Sequence, residues 1–416
     1  MEQHDIVVIG AGPAGMAAAV AAYDAGVRDV VILDREEQAG GILKQCIHNG
    51  FGLHKLGREL TGPEYAAVYE KMTKERGIRT FRQTTVTGLE DGRVVTAQSE
   101  TGIRRIAAGA VVLAMGCRER SRGALMIPGT RPAGVYSAGT AQKMMNCEGY
   151  AVGRRVVILG SGDIGLIMAR RMSLEGAKVE AVCEIMPYSG GLRRNIVQCL
   201  EDFGIPLFLS TTVAEIHGRE RVEGVTIAGV NEKREILAAT KRRIPCDTLL
   251  LSVGLLPENE LTARAGIPLD GVTGGATVDE ERQTAMPGVF ACGNVLQVHD
   301  LVDHASEEAE IAGAGAAAFV RGESLRGAVA EVRPGAGVRY VLPQRIHPES
   351  GRDVSFFLRS DRPYGKVTFT ILDGEKPLAA FARPKASPGE MEKLTVRAEK
   401  LRGARGPITV RLEETE

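Results

Sequence analysis

The chain has 416 residues, enough for two or three domains with sizeable cores, and its 44% hydrophobic and 25% charged residues are ordinary for a globular protein. Its 52 Lys and Arg residues balance 52 Asp and Glu residues, so the charge gives no reason to expect a nucleic-acid or membrane-surface partner. Apolar stretches are interrupted well before the roughly 20 residues of a membrane span, and we expect no signal peptide because the first predicted strand starts at residue 6. We therefore expect a soluble chain. Its seven scattered cysteines form no C-x-x-C pair, which favours a cytoplasmic location, and no metal site is predicted.

The first predicted element is a strand that runs into a glycine-rich turn. Residues 6–9 are apolar, residues 10–15 read G-x-G-x-x-G, and the next strand, at 30–33, ends at Asp34. In this pattern one glycine turns the chain, the second admits a pyrophosphate and the third lets helix and strand pack closely, while the acid accepts hydrogen bonds from a ribose. The residues predicted to bind this first dinucleotide are Gly10, Gly12, Pro13, Ala14, Gly15, Asp34 and Arg35.

The next stretch supplies further small residues and strands. The pair Gly40-Gly41 offers a second close approach to a pyrophosphate, and a helix is predicted at 63–76, between Pro63 and Gly77. Strands are predicted around 84–86 and 94–96, divided by the turn Glu90-Asp91-Gly92, and a buried strand at 110–116 ends in glycine. This stretch adds Gly41, Ile42, Val86, Ala114, Met115 and Gly116 to the predicted first site.

A second copy of the strand and glycine turn begins at residue 156. It reads G-x-G-x-x-G at 160–165, and its acid, Glu184, lies 24 residues beyond the first glycine, as Asp34 does in the first copy. One such motif is weak evidence, whereas two with the same spacing predict two bound dinucleotides, which usually exchange electrons. The predicted second site comprises Gly160, Gly162, Asp163, Ile164, Gly165 and Glu184. Arg193 and Arg194 are equally compatible with a 2′-phosphate contact and with a solvated face.

The last third of the chain changes character. Residues 248–254 are predicted to form a buried strand ending at Gly254. The run 286–294 reads M-P-G-V-F-A-C-G-N and precedes a predicted small-residue helix at 300–320. Gly254, Gly293 and Asn294 are added to the predicted cofactor-binding residues. The composition changes from Val332 onward. A linker is predicted at 333–337, and apolar residues after it alternate with period two, which predicts a small β-sandwich at 332–416. With no catalytic motif there, we assign the sandwich to assembly. Its basic end, 393–411, is either a solvated face or a docking surface.

The order of these motifs resembles the two-dinucleotide FAD/NAD(P)-dependent oxidoreductases over about residues 1–325, in the compact branch that includes thioredoxin reductase. The resemblance rests on G-x-G-x-x-G, Gly-Gly, A-M-G, the second G-x-G-x-x-G and P-G-V-F-A-C-G-N, in that order. It implies an α/β fold of two Rossmann-like three-layer domains plus the C-terminal all-β sandwich. The FAD-binding domain would comprise 1–118 and 253–328, and the NAD(P)-binding domain, 119–252, would be inserted in it. FAD would occupy the first motif and NAD(H), in preference to NADP(H) because of Glu184, the second.

Two departures from that family pattern refine the resemblance. Residues 134–142 lack the dithiol of thioredoxin reductase and look like the flavin subunits of hydrogen cyanide synthase, opine oxidase and sarcosine oxidase. Asn294 replaces the usual Asp at the ribityl contact, which predicts altered affinity. The flavin portion, including 45–52, is similar to FAD oxidoreductases found in bacteria beside a glycerol-3-phosphate dehydrogenase and a small Cys-rich protein. The resemblance thus implies an electron-transfer subunit, in an oligomer, that links NAD(H) to a partner dehydrogenase.

Catalytic side chains are harder to predict, because hydride transfer itself needs no acid or base. Cys46 and His48 are candidates for handling a proton or a thiol adduct near the flavin, although a lone Cys or His is more often structural. His54, His299 and His304 are candidates for the same reason, while Cys117 and Cys147 are weaker candidates. Two alternatives therefore stay open: a stand-alone NADH-dependent peroxide or disulfide reductase using Cys46, and a non-catalytic flavin-binding scaffold.

Overall fold

A computed structural model describes residues 1–90, 93–325 and 327–415. Asp91 and Gly92, in the turn predicted at 90–92, lie outside the described residues. The chain divides into two compact units. One comprises Met1–Cys117 with Pro257–Glu416, and the other comprises Arg118–Leu256.

The first unit is built on a seven-stranded sheet. Its parallel strands carry consecutive apolar residues, as expected for strands buried on both faces. Small residues let the two helices on one face approach closely: a Cβ atom at Gly313 would lie 2.1 Å from the carbonyl oxygen of Ala18. The strands lie in the order Arg79–Phe81, Val30–Leu33, Glu2–Ile9, Gly102–Leu113, Val94–Ser99 and Thr85–Glu90, and Val289–Ala291 also pairs with Gly102–Leu113. The main helices are Pro13–Asp24, Gly62–Glu75 and Val302–Val320.

Helix Gly62–Glu75 shows how the local sequence sets these boundaries. Thr61 accepts a hydrogen bond from the N–H of Glu64, and the Glu64 carboxylate accepts the N–H of Thr61 at 2.8 Å, so two first-turn donors are satisfied. The helix predicted at 63–76 matches Gly62–Glu75 to within one residue, and the helix predicted at 300–320 matches Val302–Val320 to within two residues.

The second unit repeats the α/β plan. Its five-stranded parallel sheet has the order Val135–Ser137, Thr248–Leu251, Arg155–Leu159, Lys178–Cys183 and Leu207–Phe208, with helices Ala138–Asn146 and Asp163–Leu174. A three-stranded antiparallel sheet, Thr211–Gly218, Val222–Gly229 and Arg242–Ile244, covers it through a shared apolar core. The five-stranded parallel sheet, and the seven-stranded sheet with its five parallel and two antiparallel strands, confirm the expected α/β fold of two Rossmann-like units.

The C-terminal region forms two sheets around one core. Phe356 and Leu358 from the smaller sheet and Phe369 and Ile371 from the larger are all fully buried together, which is what period-two alternation predicts. The five-stranded sheet has the order Arg345–Ile346, Ala330–Pro334, Ile408–Glu414, Val367–Asp373 and Lys376–Arg383. The three-stranded sheet comprises Val338–Leu342, Val354–Ser360 and Glu392–Val396. The predicted C-terminal β region is thus confirmed.

Several short elements complete the chain. The strands are Asn49–Phe51, Leu60–Thr61, Cys117–Glu119 and Leu255–Pro257; the α-helices are Arg122–Leu125, Arg193–Cys199, Glu260–Arg264 and Ala398–Leu401; the single 3₁₀ turns are Gly41–Gln45, Glu201–Phe203, Ala238–Thr240 and Gly293–Val295. Across residues 1–90, 93–325 and 327–415, none of the helices combines the length and the apolar character needed to span a membrane.

Candidate dinucleotide-binding sites

The three glycines of the first loop have different jobs. Gly10 has φ +108°, and a Cβ atom there would lie 2.4 Å from the carbonyl oxygen of Ala114. A Cβ at Gly15 would lie 1.8 Å from the carbonyl oxygen of Gly10. At Gly12, by contrast, a Cβ would meet no protein atom within 4 Å. The protein itself therefore requires glycine at the outer positions, while the middle position leaves open space for a ligand.

Small residues from three chain segments lie at or beside the start of the helix that follows Gly12. Gly12 is the N-cap of helix Pro13–Asp24 and has no side chain to cap the first-turn N–H groups, so these remain for an anion. A Cβ at Gly41 would lie 3.2 Å from Gly12 Cα, and one at Gly293 would lie 2.6 Å from Ala14 Cβ. Glycines of two further segments thus pack against the N-terminus of this helix. This helix N-terminus, free of a side-chain cap and lined by glycines, fits the diphosphate of a dinucleotide.

Asp34 ties the first loop to the second strand. Its buried carboxylate accepts the N–H of Ala11 at 2.5 Å on one oxygen and the N–H of Glu36 at 2.7 Å on the other. Each carboxylate oxygen can accept a further hydrogen bond, so a ribose contact stays compatible with this brace. Arg35 is exposed, 3.6 Å from Glu36.

The second loop repeats this construction. Gly160 has φ +98°, and its Cβ would lie 1.9 Å from the carbonyl oxygen of Ser252; a Cβ at Gly165 would lie 2.8 Å from Gly160 O. A Cβ at Gly162 would make only ordinary contacts, 3.7 Å from the Ser252 hydroxyl oxygen and 4.0 Å from the Ser252 carbonyl oxygen. Glu184 accepts the N–H of Ser161 at 2.9 Å and its hydroxyl at 2.7 Å on the same oxygen. The start of helix Asp163–Leu174, which also has no side-chain cap, fits the diphosphate of a second dinucleotide.

Sequence reasoning missed one element of the second site. Gly190-Gly191 lies 30 residues beyond the first glycine of its copy, as Gly40-Gly41 does in the first, so the repeat offset could have revealed it. A Cβ at Gly191 would lie 2.8 Å from Ser161 O, and Ser189 donates to that oxygen at 3.1 Å. Asp163 helps to hold the segment by accepting the N–H of Leu192 at 2.8 Å. The segment Gly190-Gly191 therefore lies against the second glycine loop as Gly41 lies against the first.

The other predicted residues lie around these loops to differing degrees. Ala114, Met115 and Gly116 follow the strand that faces Gly10, with Ala114 buried. Ile42 is exposed and Val86 is half-buried against the sheet. Ile164 is half-buried in the first turn of its helix, and Gly254 is exposed in the second unit with φ +100°. Arg193, a candidate for a 2′-phosphate, is 3.1 Å from Glu201, and Arg194 is exposed.

Cys46 and His48 follow the Gly41–Gln45 turn beside the first glycine loop. Cys46 is half-buried and its thiol donates to the carbonyl oxygen of Ile42 at 3.3 Å. The His48 ring lies 5.0 Å from that of Phe51, with Nδ1 at 3.1 Å from the carbonyl oxygen of Asn49. Both residues thus follow directly on the Gly41–Gln45 turn, and their part at the flavin stays a prediction.

The remaining cysteines and histidines differ in reactivity. Burial raises the pKa of Cys183 to about 12 and those of Cys199 and Cys246 to about 11, so these three thiols are inert at neutral pH. The rings of His54 and His304 stack 6.3 Å apart, and burial lowers the pKa of His304. Cys147 is exposed.

A buried polar cluster behind Asn294 was not predicted. Glu308 is fully buried; it accepts the N–H of Gly293 at 3.2 Å, and its other oxygen lies 3.5 Å from Nε of the buried Arg282. His299 Nε2 lies 3.3 Å from Glu308. Burial opposes ionisation of Glu308, yet the neighbouring His299 and Arg282 keep its pKa below the usual value. The sequence feature that could have indicated this cluster is Glu308 itself, an acidic residue among the alanines of helix Val302–Val320.

This cluster fixes the orientation of Asn294. Its amide oxygen accepts the backbone N–H of His299 at 3.0 Å and lies 3.2 Å from His299 Nδ1. The amide nitrogen therefore points away from His299, and it lies 3.5 Å from the Cys117 thiol. At the position where the family that this chain resembles has an Asp carboxylate, which only accepts hydrogen bonds, Asn294 presents an N–H donor.

Comparisons with known proteins agree with this geometry. A family model described as pyridine nucleotide-disulphide oxidoreductase matches residues 4–309. An opine oxidase subunit of Agrobacterium tumefaciens (strain Ach5) is 27% identical over 317 residues, covering 70% of this chain and 61% of that protein. The HcnB subunit of hydrogen cyanide synthase from Pseudomonas protegens is 25% identical over 313 residues, covering 70% of this chain and 65% of that protein. The chain thus spans less than two thirds of the length of these curated relatives.

A solved structure extends the comparison to the fold. Thioredoxin reductase of T. acidophilum superposes with a TM-score of 0.63 at 24% identity, covering 78% of this chain and 100% of that one. The likeness confirms the expected fold of the dinucleotide-binding units.

Proposed function

This chain belongs to the pyridine nucleotide-disulphide oxidoreductase family and is an FAD- and NAD(P)H-dependent oxidoreductase, and from that premise we propose that it links NAD(H) to a partner dehydrogenase. In this proposal FAD binds at the loop 10–15 in the domain formed by 1–118 and 253–328. The nicotinamide nucleotide binds at the loop 160–165 in the domain 119–252. Electrons enter or leave through the partner.

The observation that carries the proposal is the duplication of the complete loop brace. In each copy an acid at the end of the second strand accepts the N–H of the residue after the first glycine, at 2.5 Å from Asp34 and 2.9 Å from Glu184. In each copy the middle glycine precedes a helix N-terminus, and a Cβ there would meet no close contact: none within 4 Å at Gly12 and none nearer than 3.7 Å at Gly162. A vestigial site in a scaffold has no need to keep such a brace, so the duplication supports two working sites.

The chain's own residues supply binding and orientation. FAD, when bound, supplies the two-electron chemistry. Gly12 and Gly41 let backbone N–H groups reach its diphosphate, and Asn294, held by His299, offers an N–H donor to the same cofactor. Helix Val302–Val320 has a positive N-terminal end that stabilises negative charge by about 1 kcal/mol per favourable contact.

The preference for NADH follows from Glu184. Its carboxylate is held by Ser161 on one oxygen and by the N–H of Met186, at 2.9 Å, on the other, so it cannot swing away from a ribose. A fixed carboxylate accepts from a 2′-hydroxyl and repels a 2′-phosphate. We therefore expect discrimination against NADPH to depend on the charge of this one side chain.

Anaerobic titration of the FAD-loaded protein tests the two-site assignment. NADH should bleach the flavin absorbance at lower concentration than NADPH. Glu184→Gln keeps the shape of the side chain but removes its charge. This variant should reduce the difference between the NADH and NADPH concentrations that bleach the flavin, and it should keep its bound FAD. Bleaching by NADPH at equal or lower concentration would overturn the preference, and no bleaching by either nucleotide would favour the scaffold alternative.

The partner is proposed from the relatives and from the thiol chemistry. Two relatives are named as subunits of opine oxidase and hydrogen cyanide synthase. The sequence has no C-x-x-C pair to serve as a dithiol relay. The resemblance to FAD oxidoreductases found beside a glycerol-3-phosphate dehydrogenase makes that dehydrogenase, with a small Cys-rich protein, the first candidate partner.

Reconstitution tests the partner. Glycerol 3-phosphate should reduce the flavin of this chain only when the dehydrogenase from the native host is present, and NAD⁺ should then reoxidise it. A full-length protein that emerges alone from its host and rapidly oxidises NADH with a simple small molecule would refute the proposed electron-transfer role.

A further inference from the structure

We propose that the C-terminal sandwich braces the flavin site from behind, with Arg359 as the positioning residue. The inference rests on the proposed placement of FAD at the loop 10–15, and it gives the sandwich a role within the chain in addition to assembly. The braced segment is 293–300, which contains Gly293 and Asn294.

Arg359 reaches this segment from strand Val354–Ser360. One terminal nitrogen, Nη2, donates to the carbonyl oxygen of Val298 and to the Asp300 carboxylate, both at 3.0 Å. The other, Nη1, donates to the carbonyl oxygen of Pro388 at 3.0 Å. A planar guanidinium can hold three acceptors at once in fixed directions, which a flexible ammonium cannot do. Arg359 thus grips the residues on both sides of His299.

Asp300 is held from the sandwich on both carboxylate oxygens. The first accepts from Arg359, and the second accepts the N–H of Met391 at 3.2 Å. The side chains of Asp300 and Arg359 are only 8% and 12% exposed, so this ion pair is screened little by solvent. Removing the cation would leave a mostly buried carboxylate without its charged partner, a change that buried pairs tolerate poorly.

A second contact path runs through Phe357. Its buried ring lies 5.3 Å from the guanidinium carbon of Arg282, which is itself 1% exposed. Arg282 in turn flanks Glu308, which accepts the N–H of Gly293. The sandwich therefore supports both ends of the segment: Gly293 through this path, and the residues around His299 through Arg359.

The segment has little freedom to absorb a displacement. A Cβ at Gly293 would lie 2.6 Å from Ala14 Cβ, so Gly293 already packs against the helix of the first loop. His299 joins the two ends, because its backbone N–H and Nδ1 both meet the amide oxygen of Asn294. A shift at 298–300 is expected to turn the Asn294 amide and to loosen the proposed FAD site.

The test compares three full-length variants with wild type. Arg359→Gln removes the charge and most of the donors, Arg359→Lys restores the charge alone, and Arg383→Gln is the matched control. Arg383 belongs to the same sandwich, and it donates to Glu392, Ala382 and Lys393, which all lie in the sandwich. The readouts are the rate of FAD release from the folded protein, the midpoint potential of bound FAD and the unfolding temperature.

For Arg359→Gln we expect FAD release at least about tenfold faster, partial recovery in Arg359→Lys, and wild-type release in Arg383→Gln. The potential of the bound flavin should also become more negative, because Asp300 is left unneutralised. A variant that unfolds at lower temperature but keeps the wild-type release rate and potential would reduce Arg359 to a structural role and overturn the proposal. An equal effect from Arg383→Gln would overturn it as well.

A second variant covers the case in which Arg359→Gln does not fold. Asp300→Asn keeps the shape and an acceptor for Arg359 while removing the charge; it should also speed FAD release, and wild-type release would contradict the brace. Failure of the proposed function shows itself differently, as wild-type protein that holds FAD but is not bleached by NADH. The release comparison decides the brace in that case too.

Discussion

Two alanine substitutions in the first glycine loop, three residues apart, should separate folding from cofactor binding. At Gly15 the new methyl group would lie 1.8 Å from the carbonyl oxygen of Gly10 and 3.3 Å from Val8 Cγ1. At Gly12 it would meet nothing within 4 Å, and the backbone there has φ −71°, which alanine adopts without strain. Gly15→Ala is therefore a packing change, and Gly12→Ala a change in the space left for a ligand.

The magnitudes follow from these distances. Helix and loop must part by about an ångström to admit the methyl group at residue 15. Overpacking of this kind costs about 3 kcal/mol, of which the lost freedom of glycine in the unfolded chain returns about 1 kcal/mol. We expect Gly15→Ala to lower the free energy of unfolding by about 2 kcal/mol. For Gly12→Ala the unfolded-state gain and the weaker N-cap nearly cancel, within about 0.5 kcal/mol.

The assay measures urea unfolding of the apoproteins and FAD binding by quenching of flavin fluorescence. Gly12→Ala should keep the wild-type unfolding curve and bind FAD at least about a hundredfold more weakly, a loss of roughly 2.7 kcal/mol. Each variant is the control for the other. Wild-type FAD affinity in Gly12→Ala would show that the diphosphate lies elsewhere, and a wild-type urea midpoint in Gly15→Ala would refute the packing argument.

Three further predictions address other parts of the chain. Glu184→Ala should raise the KM for NADH at least about tenfold while FAD stays bound, because the loop loses its brace and the ribose its acceptor; steady-state kinetics with the flavin absorbance recorded beside them check this, and an unchanged KM would count against the second site. Cys46→Ser should leave anaerobic flavin reduction by NADH unchanged, whereas peroxide turnover that disappears in this variant would promote the peroxide-reductase alternative. The hydrogen bond to Glu280 raises the pKa of His347, against the opposing effect of burial. The protonated ring therefore contributes stability that is fully present below about pH 6.5 and is lost as the pH rises through the folded-state pKa. His347→Gln should flatten the free energy of unfolding above that pH, and unfolding curves with wild-type pH dependence would contradict the assignment.

The sequence by itself determined the features whose physical cause is local. A glycine that must avoid the carbonyl five residues earlier, as Gly15 does, reveals itself within one motif. The capping box at Thr61 and the period-two strands of the C-terminal region are likewise set by neighbouring residues. The repeat of one spacing in two places then predicts two sites of the same construction.

Only the tertiary structure decided which distant groups meet. Arg359 and Asp300 are 59 residues apart, and Asp303 accepts the N–H of Gly52 across 251 residues. Hydrophobic periodicity in the sequence does not predict either contact, because a charged residue near the end of a strand or helix is normally expected to be exposed to solvent. The orientation of the Asn294 amide is set by His299 and by the buried charge of Glu308. Such pairings depend on which surfaces the packed sheets bring together, since burial is what makes a lone charge need a partner.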